Sequence, residues 1–386
     1  MPKSSSRKKT LKTPKPAKTA QPTPPHNGED LSLADPNPDQ PGDDSKTSLV
    51  LLKEKAGQGD VPSLLELGNR YDKGSGVYKS SKMAREYFRK AANLDSLEAH
   101  VRIFETTNDD KDANVSDKAE SRKWLQKAAG KGYPRAQYLL GIMSLDGQGF
   151  KKDVPYALEL LNKAWEGQYP LAATKLGIIY FDGQLAPQDF DKAKELFQKA
   201  ADLDEPLAIN YLGRLRAEGL DGEPKDLDKA IEYYQKSAAM GDDHAQYNLG
   251  LLALHGQGLA KDVDKALDWL TKSAEQNNIE AQRILGLLLT RDEEAPPNVE
   301  KGLDWLTKAA EKGDLPSRNE LGVIYYYGEI VPRDLTKAEK FLLKAANSDY
   351  EIAKNNLTLL LENKAELKKG LPQKTPLTGE SLEPAP

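Results

Sequence analysis

Histidine and cysteine, the side chains that most often bind transition metals or act as bases and nucleophiles, are scarce in this sequence. The chain has four histidines and no cysteine in 386 residues. None of the histidines has a partner at the spacing that a zinc site shows; they are His26, His100, His244 and His255. The lack of cysteine excludes disulfides, thiolate metal sites and a cysteine nucleophile.

Two pairs of aspartates stand at a spacing that could hold a cation: Asp226 with Asp228, and Asp262 with Asp264. The first member of each pair precedes a helical pattern and the second falls in its first turn, so helix capping explains both. The glycine runs at 74–76, 147–149 and 256–258 lack the Lys-Ser/Thr of a phosphate loop. The sequence therefore predicts no catalytic residue, no metal, no cofactor and a protein that is not an enzyme.

The polar residues that recur most regularly along the chain are of the types that cap helices. Asp, Asn and Ser side chains accept a hydrogen bond from a free backbone N–H at a helix start, and a carboxylate also suits the helix dipole. Successive members lie 36 or 37 residues apart, a period that indicates a helical repeat array. The predicted caps are Asp44, Ser80, Asp117, Asp153, Asp189, Asp226, Asp262, Asn298 and Asp334.

A helix with one apolar face follows each cap, and we call it helix B. After Asp262, for example, Ala266, Trp269, Leu270 and Ala274 recur at steps of three and four residues. Each B helix is expected to end at a residue that tolerates a left-handed backbone. These residues are Asp95, Gly132, Gln168, Asp204, Gly241, Asn277, Gly313 and Asp349.

The helix that follows, helix A, carries a small residue and, five positions later, a glycine, as in Ala245 and Gly250. Gly costs roughly 1 kcal/mol against Ala inside a helix. Seven occurrences at one position therefore indicate a neighbouring helix that passes too close for a side chain. A second Gly, such as Gly256, is predicted to end the helix. Phe104 and Asp292 break these two patterns, so the second and seventh repeats should be the least regular.

These residues resemble the Sel-one-like repeat (SLR) family, a relative of the tetratricopeptide repeat. The family pattern is roughly A-x-x-x-L-G-x-x-Y-x-x-G, a loop, and then D-x-x-K-A, an aromatic residue and K-A-A. Residues 172–183 read AATKLGIIYFDG and residues 262–274 read DVDKALDWLTKSA. The resemblance covers about Asp44 to Glu362. It implies an adaptor fold, which names a function only loosely.

The predicted fold class is all-α, a right-handed α-α superhelical solenoid of about eight 36-residue helix-pair repeats. We expect eighteen helices: one B helix, eight A–B pairs and a closing A helix near 349–369. Residues 44–369 are assigned to the repeats. Residues 1–43, basic and then acidic and rich in proline, and residues 370–386 are expected to be disordered tails.

The N-terminal tail has no apolar core of the kind that a secretory signal needs, so a cytoplasmic location is expected. Its Arg7-Lys8-Lys9 run leaves a nuclear address, or binding of nucleic acid by the tail, as an alternative. No apolar run approaches the roughly 20 residues that span a bilayer.

The working hypothesis is a non-enzymatic scaffold or adaptor that binds a protein or peptide in the concave groove. In the tetratricopeptide relatives helix A lines that groove, which points to the positions two and six residues after its small residue. We call these positions the A-helix stripe; some of its members are expected to pack on the next repeat instead, whereas Asn210, Arg214, Arg283 and Asn319 should be exposed. The candidate partner-binding residues are Tyr138, Asn210, Arg214, Tyr247, Arg283 and Asn319.

One enzymatic alternative comes from the resemblance alone. Some bacterial members of the family have been credited with binding penicillin-like ligands or hydrolysing β-lactams slowly. This chain lacks the cysteines of those members, and its one S-x-x-K match, Ser6 to Lys9, stands in the N-terminal tail without companion motifs. The sequence therefore favours the scaffold over a β-lactamase-like hydrolase.

Overall fold

Helices account for all the regular structure in the described part of the chain, which contains no β-strand. The computed structural model describes residues 43–220, 222–291, 295, 298–368 and 377–379, with the side chains of 43–47 and 367–368 excluded. Eighteen helices lie in these ranges, with even-numbered helices corresponding to helix A and odd-numbered ones to helix B. They are α1 (Asp43–Gly57), α2 (Val61–Lys73), α3 (Ser81–Asn93), α4 (Leu97–Asp109), α5 (Val115–Gly130), α6 (Pro134–Asp146), α7 (Val154–Glu166), α8 (Pro170–Asp182), α9 (Phe190–Ala201), α10 (Pro206–Glu218), α11 (Leu227–Ala239), α12 (Asp243–His255), α13 (Val263–Glu275), α14 (Ile279–Arg291), α15 (Val299–Glu311), α16 (Leu315–Tyr327), α17 (Leu335–Ala346) and α18 (Glu351–Lys368).

The packing of the chain divides it into two compact units, one ending at Tyr87 and the other beginning at Phe88. In the first unit α1 packs against α2. In the second unit each A helix from α4 to α16 packs on the B helix that follows, and each B helix packs on the next A helix. The predicted all-α helix-pair array is confirmed. Most of the predicted tails, 1–43 and 370–386, lies outside the described residues.

Seven of the predicted caps make the expected hydrogen bond at the start of a B helix. In each, the side-chain oxygen accepts from the backbone N–H three residues on, as Asp153 Oδ1 does from Tyr156 N at 3.0 Å. The others are Ser80, Asp189, Asp226, Asp262, Asn298 and Asp334. A short polar side chain at each repeat boundary is thus what starts the helix.

The prediction for Asp117 is wrong. Asn114 caps α5 instead, because its Oδ1 reaches Asp117 N at 2.9 Å and starts the helix three residues early. The preceding helix, α4, ends at Asp109 without a left-handed glycine, since Asp110 is extended with φ −78° and ψ 110°. The second repeat is therefore irregular, as expected. The first helix, α1, begins at Asp43, close to the predicted start near Asp44, and the capping role of the Asp44 side chain lies outside what the structure describes. Asp292, the other irregular position, lies outside the described residues.

The ends of the B helices follow the sequence pattern closely. All eight residues predicted to adopt a left-handed backbone have φ between 55° and 104°, including the non-glycine residues Gln168 (φ 59°) and Asn277 (φ 77°). The A helices that have a terminal glycine, such as α12 with Gly256 (φ 68°), end there in the same conformation. The turn between two helices of the array is therefore set by local backbone chemistry.

Removing one cap should have a measurable effect. In Asn298→Ala we expect a loss of about 1 kcal/mol in the free energy of unfolding, because Lys301 N loses the acceptor that lies 3.1 Å away. Glu300→Ala, an exposed change within the first turn of the same helix, should cost less. Urea unfolding of both variants measures the difference, and equal losses would contradict the capping role.

Candidate peptide-binding surface

In the first complete repeats of the larger unit, residues of the A-helix stripe contact the start of the next A helix. The ring of Tyr138 on α6 lies 5.2 Å from that of Tyr169, the residue before α8. Thr174 on α8 donates from its hydroxyl to Glu205 Oε2, before α10, at 2.6 Å. Burial raises the pKa of the Tyr138 phenol. These stripe residues therefore contribute to stacking of the repeats.

The two asparagines of the stripe are buried, and our expectation that they would be exposed is wrong. Asn210 is 2% exposed and Asn319 is 0% exposed. Asn210 Oδ1 accepts from Asn248 Nδ2 on α12 at 2.9 Å, and Asn319 Oδ1 accepts from Asn356 Nδ2 on α18 at 2.8 Å. The burial has a plain cause, because the position two residues after the small residue faces the next A helix and an amide there needs a partner.

The side chain of Arg214 is 37% exposed, more than that of Arg283, the other candidate arginine, at 23%. Its guanidinium lies over the rings of Phe181 and Tyr211, at 4.8 and 5.3 Å from their centroids. Glu218, one turn later, lies 3.5 Å away, so the ion pair is long and solvent-screened. The rings hold the guanidinium in place while part of it stays accessible to a ligand.

Tyr247 and Arg283 are brought together on α12 and α14. Burial raises the pKa of the Tyr247 phenol, and the nearby positive charge of Arg283 acts in the opposite sense. Arg283 Nε lies 3.5 Å from Asp314 Oδ2, in an ion pair without hydrogen-bond geometry. Its acidic partner is thus Asp314 at the start of α16, and Glu280 on its own helix makes no such ion pair.

Three residues near the C-terminus, Leu377 to Gly379, lie on this same A-helix surface. Leu377 is 6% exposed and packs into the apolar cluster that contains Val323 and Tyr326 of α16 and Leu360 of α18. Tyr327 donates from its hydroxyl to Leu377 O at 3.2 Å. Part of the segment assigned to a disordered tail is therefore bound by the repeats.

Polar contacts hold the segment mainly through the backbone of Thr378, and the Thr378 hydroxyl also donates to Asn356 Oδ1. Asn356 Oδ1 accepts from Thr378 N at 2.9 Å, and Asn356 Nδ2 donates to Thr378 O at 2.8 Å. Asn319 Nδ2 donates to the same carbonyl at 3.2 Å. A side-chain amide that pairs with both polar groups of one residue repeats the hydrogen bonding of a β-ladder. We call Asn319 and Asn356 together the terminal clamp.

At Gly379 the bound segment extends from α16 and α18 towards the end of α14. A side chain added there would collide with the guanidinium of Arg291 and would lie 3.1 Å from Glu320 Oε2. Arg291 Nη2 lies 2.5 Å from Glu320 Oε1, and Glu320 is fully buried. The segment therefore lies against side chains of three successive A helices, α14, α16 and α18.

Sequence reasoning found Asn319 but not its partner or the bound segment. The signal was present, because Asn356 stands three residues after Ala353 while Asn319 stands two residues after Ser317. Side chains at these two positions meet and link one A helix to the next, as Asn210 and Asn248 also do. The docking of Leu377 to Gly379 has no comparable repeat pattern and could not be inferred from spacing.

The remaining chemistry-bearing residues have structural surroundings. His100 is fully buried, its Nδ1 lies 2.6 Å from Ser96 O, and its ring meets Trp124 edge to face. Burial lowers the pKa of this imidazole. Among the described residues, no cluster of three His, Asp or Glu side chains has the arrangement of a metal site. No described helix has the length and apolar character to cross a membrane.

Asp242, which caps α12, gives the surface a pH dependence. Burial raises the pKa of its carboxyl, with Asp243 and Glu205 adding to the rise and His244 opposing it. A raised pKa in the folded state means that stability is fully present below the ordinary value of 3.8 and is lost as the pH rises through the raised value. Asp242→Asn keeps an oxygen acceptor for Ala245 N, now 2.7 Å away, without the charge.

We therefore expect Asp242→Asn to melt at a higher temperature than the wild type at pH 7, with the difference shrinking towards pH 3.8. Asp262→Asn is the matched control of opposite sign. The backbone N–H of Lys265 holds the pKa of Asp262 below its usual value, so its charge stabilises the fold above that value. A pH-independent difference for Asp242→Asn would contradict the burial argument.

Comparison with known proteins identifies the repeat. The model of the Sel1 repeat family matches eight segments that together cover most of the chain, at residues 61–96, 115–133, 134–167, 170–205, 206–242, 243–278, 279–314 and 316–350. No curated protein matches the chain significantly.

Several solved structures are similar to this chain. The Sel1 repeat protein from Oxalobacter formigenes is 27% identical, with a TM-score of 0.52, over 82% of this chain and 92% of that one. The Escherichia coli protein c5321, a protective antigen of uropathogenic strains with an SLR fold, is 30% identical, with a TM-score of 0.49, over 80% of this chain. The match spans 66% of c5321. The immunity protein Pa5087 from Pseudomonas aeruginosa is 20% identical, with a TM-score of 0.42, over 55% of this chain and 81% of that one.

Proposed function

The chain belongs to the Sel1 repeat family, and from that premise we propose that it is a non-enzymatic scaffold that holds an extended peptide segment of a partner protein on its A helices. The binding surface consists of the A-helix stripe from α10 to α16. Repeat arrays of this kind usually present a long surface instead of one enclosed pocket.

One observation carries the proposal: the A helices already bind a non-helical peptide segment, the chain's own Leu377 to Gly379. Three hydrogen bonds join side-chain amides to the backbone of Thr378, two of them donated by the amides and one by Thr378 N, and Leu377 packs into an apolar cluster. Backbone hydrogen bonds supply affinity in peptide recognition, and side-chain pockets supply specificity. Both components are present at α16 and α18.

At the central repeats, the accessible residues of the stripe would select a partner by its side chains, in contrast to the backbone and apolar contacts at α16 and α18. Arg214, Tyr247 and Arg283 lie on three successive A helices and are the candidate readers of a partner's side chains. Tyr and Arg are the residue types most often found at the energetic centre of interfaces. Two guanidinium groups favour a partner with carboxylates or phosphates at the contact.

The proposal can be tested by selecting displayed peptides on the full-length chain and measuring the affinity of synthetic versions by fluorescence anisotropy. We expect selected peptides to lose binding when Arg214, Tyr247 and Arg283 are replaced. A selection that yields no peptide, or only peptides that bind the substituted chain equally well, would reject the A-helix surface. A nitrocefin assay on the same sample should show no turnover above buffer.

A further inference from the structure

We infer that Asn210 and Asn248, which we call the central clamp, form a second site for the backbone of an extended peptide, and that this peptide carries an acidic residue immediately before the clamped one. The inference rests on the proposed function and assigns it a place and a chemical preference. The central clamp lies between α10 and α12, within the larger unit.

The two clamps occupy the same positions of the repeat. Asn210 and Asn319 each stand two residues after the small residue of their A helix, Ala208 and Ser317. Asn248 and Asn356 each stand three residues after the small residue of the next A helix. In both clamps the later Asn donates from Nδ2 to Oδ1 of the earlier one, at 2.9 Å in the central clamp and 2.8 Å in the terminal clamp. The side-chain arrangement that holds Thr378 is therefore already formed at Asn210 and Asn248.

The central clamp is less buried than the terminal clamp, because no peptide segment lies over it in the described structure. Asn356 is fully buried beneath Thr378, whereas Asn248 is only partly buried. The hydrogen bond that the described structure gives the Asn248 side chain is the one to Asn210. By analogy with Asn356, its Oδ1 and second Nδ2 hydrogen remain for the N–H and C=O of one peptide residue. These two bonds do not depend on the side chain of the clamped residue, and at the terminal clamp the Thr378 hydroxyl adds a further hydrogen bond to Asn356 Oδ1 at 3.1 Å.

The preference for particular peptide sequences comes from the peptide residue immediately before the clamped one. At the terminal clamp, Leu377 precedes the clamped residue and packs into the cluster containing Val323, six positions after Ser317. The equivalent residue at the central clamp is Arg214, six positions after Ala208. An apolar wall is thus replaced by a guanidinium that Phe181 and Tyr211 hold in place. Its pairing with Glu218 is long, at 3.5 Å, so a carboxylate of the ligand can displace it. We therefore assign an Asp or Glu to this ligand position.

The probe is a fluorescent synthetic peptide with the sequence of residues 373–383 in which the residue corresponding to Leu377 is Glu. Its affinity for the full-length chain is measured by fluorescence anisotropy. We expect Asn248→Ala to weaken binding roughly tenfold or more, because two backbone hydrogen bonds are lost. Asn162→Ala, an exposed asparagine of α7 on a B helix, is the matched control and should bind as the wild type does.

A charge exchange provides the second readout. Arg214→Glu should lower the affinity for the Glu peptide. It should raise the affinity for a peptide with Lys at the same position, which the wild type binds poorly. This reciprocal effect depends on contact between the two side chains, so a variant that is merely less stable would not produce it. Melting curves of each variant confirm that the compared chains are folded.

The outcomes separate the two proposals. If Asn248→Ala binds the Glu peptide as tightly as the wild type, or if the charge exchange has no effect, the central clamp is rejected. If Asn356→Ala abolishes binding and Asn248→Ala does not, the peptide exchanges with Leu377 to Gly379 at the terminal clamp; the proposed function then stands and the further inference fails. If neither peptide binds the wild type or Asn356→Ala, the central clamp is rejected, and the selection of displayed peptides decides the proposed function.

Discussion

Gly250→Leu should destabilise the repeat array more than the other single substitutions considered for this chain. A Cβ atom at Gly250 would lie 2.7 Å from Leu270 Cγ and 3.0 Å from Leu270 Cδ2. Leu270 is fully buried on α13, in the apolar cluster of α12, α13 and α14, so its displacement would disturb other core side chains. Forced overpacking of this kind typically costs about 1–3 kcal/mol, and we expect a lower melting temperature by circular dichroism.

His244→Ala is the control for this prediction because it changes a larger side chain on the same helix. His244 is exposed, and its Nδ1 lies 3.4 Å from Asn278 Nδ2 at the edge of the array. Its loss should change the melting temperature little, as is usual for surface substitutions. Gly250→Ala, which adds the Cβ alone, should lie between the two. Equal melting temperatures for Gly250→Leu and His244→Ala would refute the close-packing argument.

The close approach at Gly250 illustrates what the sequence could establish about the fold. The inference needed only a glycine repeated at one helical position, and the structure places a B-helix side chain against it in six repeats. A Cβ atom there would lie 2.6–3.1 Å from Leu161, Phe197, Tyr234, Leu270, Leu306 or Leu342. Caps and left-handed helix ends were predictable for the same reason, since they depend on the chemistry of a few neighbouring residues.

The errors arose where two residues compete or where contacts are distant in sequence. Asn114 and Asp117 are both good caps, and spacing alone selected Asp117, whereas the structure uses Asn114. The burial of Asn210 depends on Asn248, which lies 38 residues away on another helix. The contact of Asn319 with Thr378 spans 59 residues and involves a segment without repeat character. No local pattern records such pairings, so the sequence predicted the surface but not which of its residues are exposed.

The structure thereby divides the polar residues of the stripe into two groups. The asparagines lie between successive A helices, where each amide meets another amide, and at the terminal clamp both amides also bond to the backbone of Thr378. The arginines lie at the edge of the same helices, with exposed side-chain fractions of 37% for Arg214 and 23% for Arg283. Under the proposed function, backbone binding falls to the asparagines and side-chain reading to the arginines, so the two roles are separable by mutation.

A chain in which Arg214, Tyr247 and Arg283 are all replaced by Ala should fold normally and bind its selected peptides at least tenfold more weakly. Truncation of residues at the centre of an interface costs roughly 2 kcal/mol or more, and each 1.4 kcal/mol corresponds to about tenfold in affinity. The two arginine ion pairs, with Glu218 and Asp314, are both long at 3.5 Å, so their loss should cost little. Loss of the Tyr247 ring, which packs against the apolar cluster of α12, α13 and α14, should lower the melting temperature without unfolding the chain.

The matched control replaces three accessible side chains of the B helices, Tyr156, Lys199 and Lys272, by Ala. This variant loses one tyrosine and two positive charges, as the first does, so a nonspecific effect of net charge would weaken both equally. Affinity should fall only in the A-helix variant, because the proposed contacts lie on that face alone. A folded A-helix variant with unchanged affinity would exclude the three residues from the interface and would move the binding site to another face of the array.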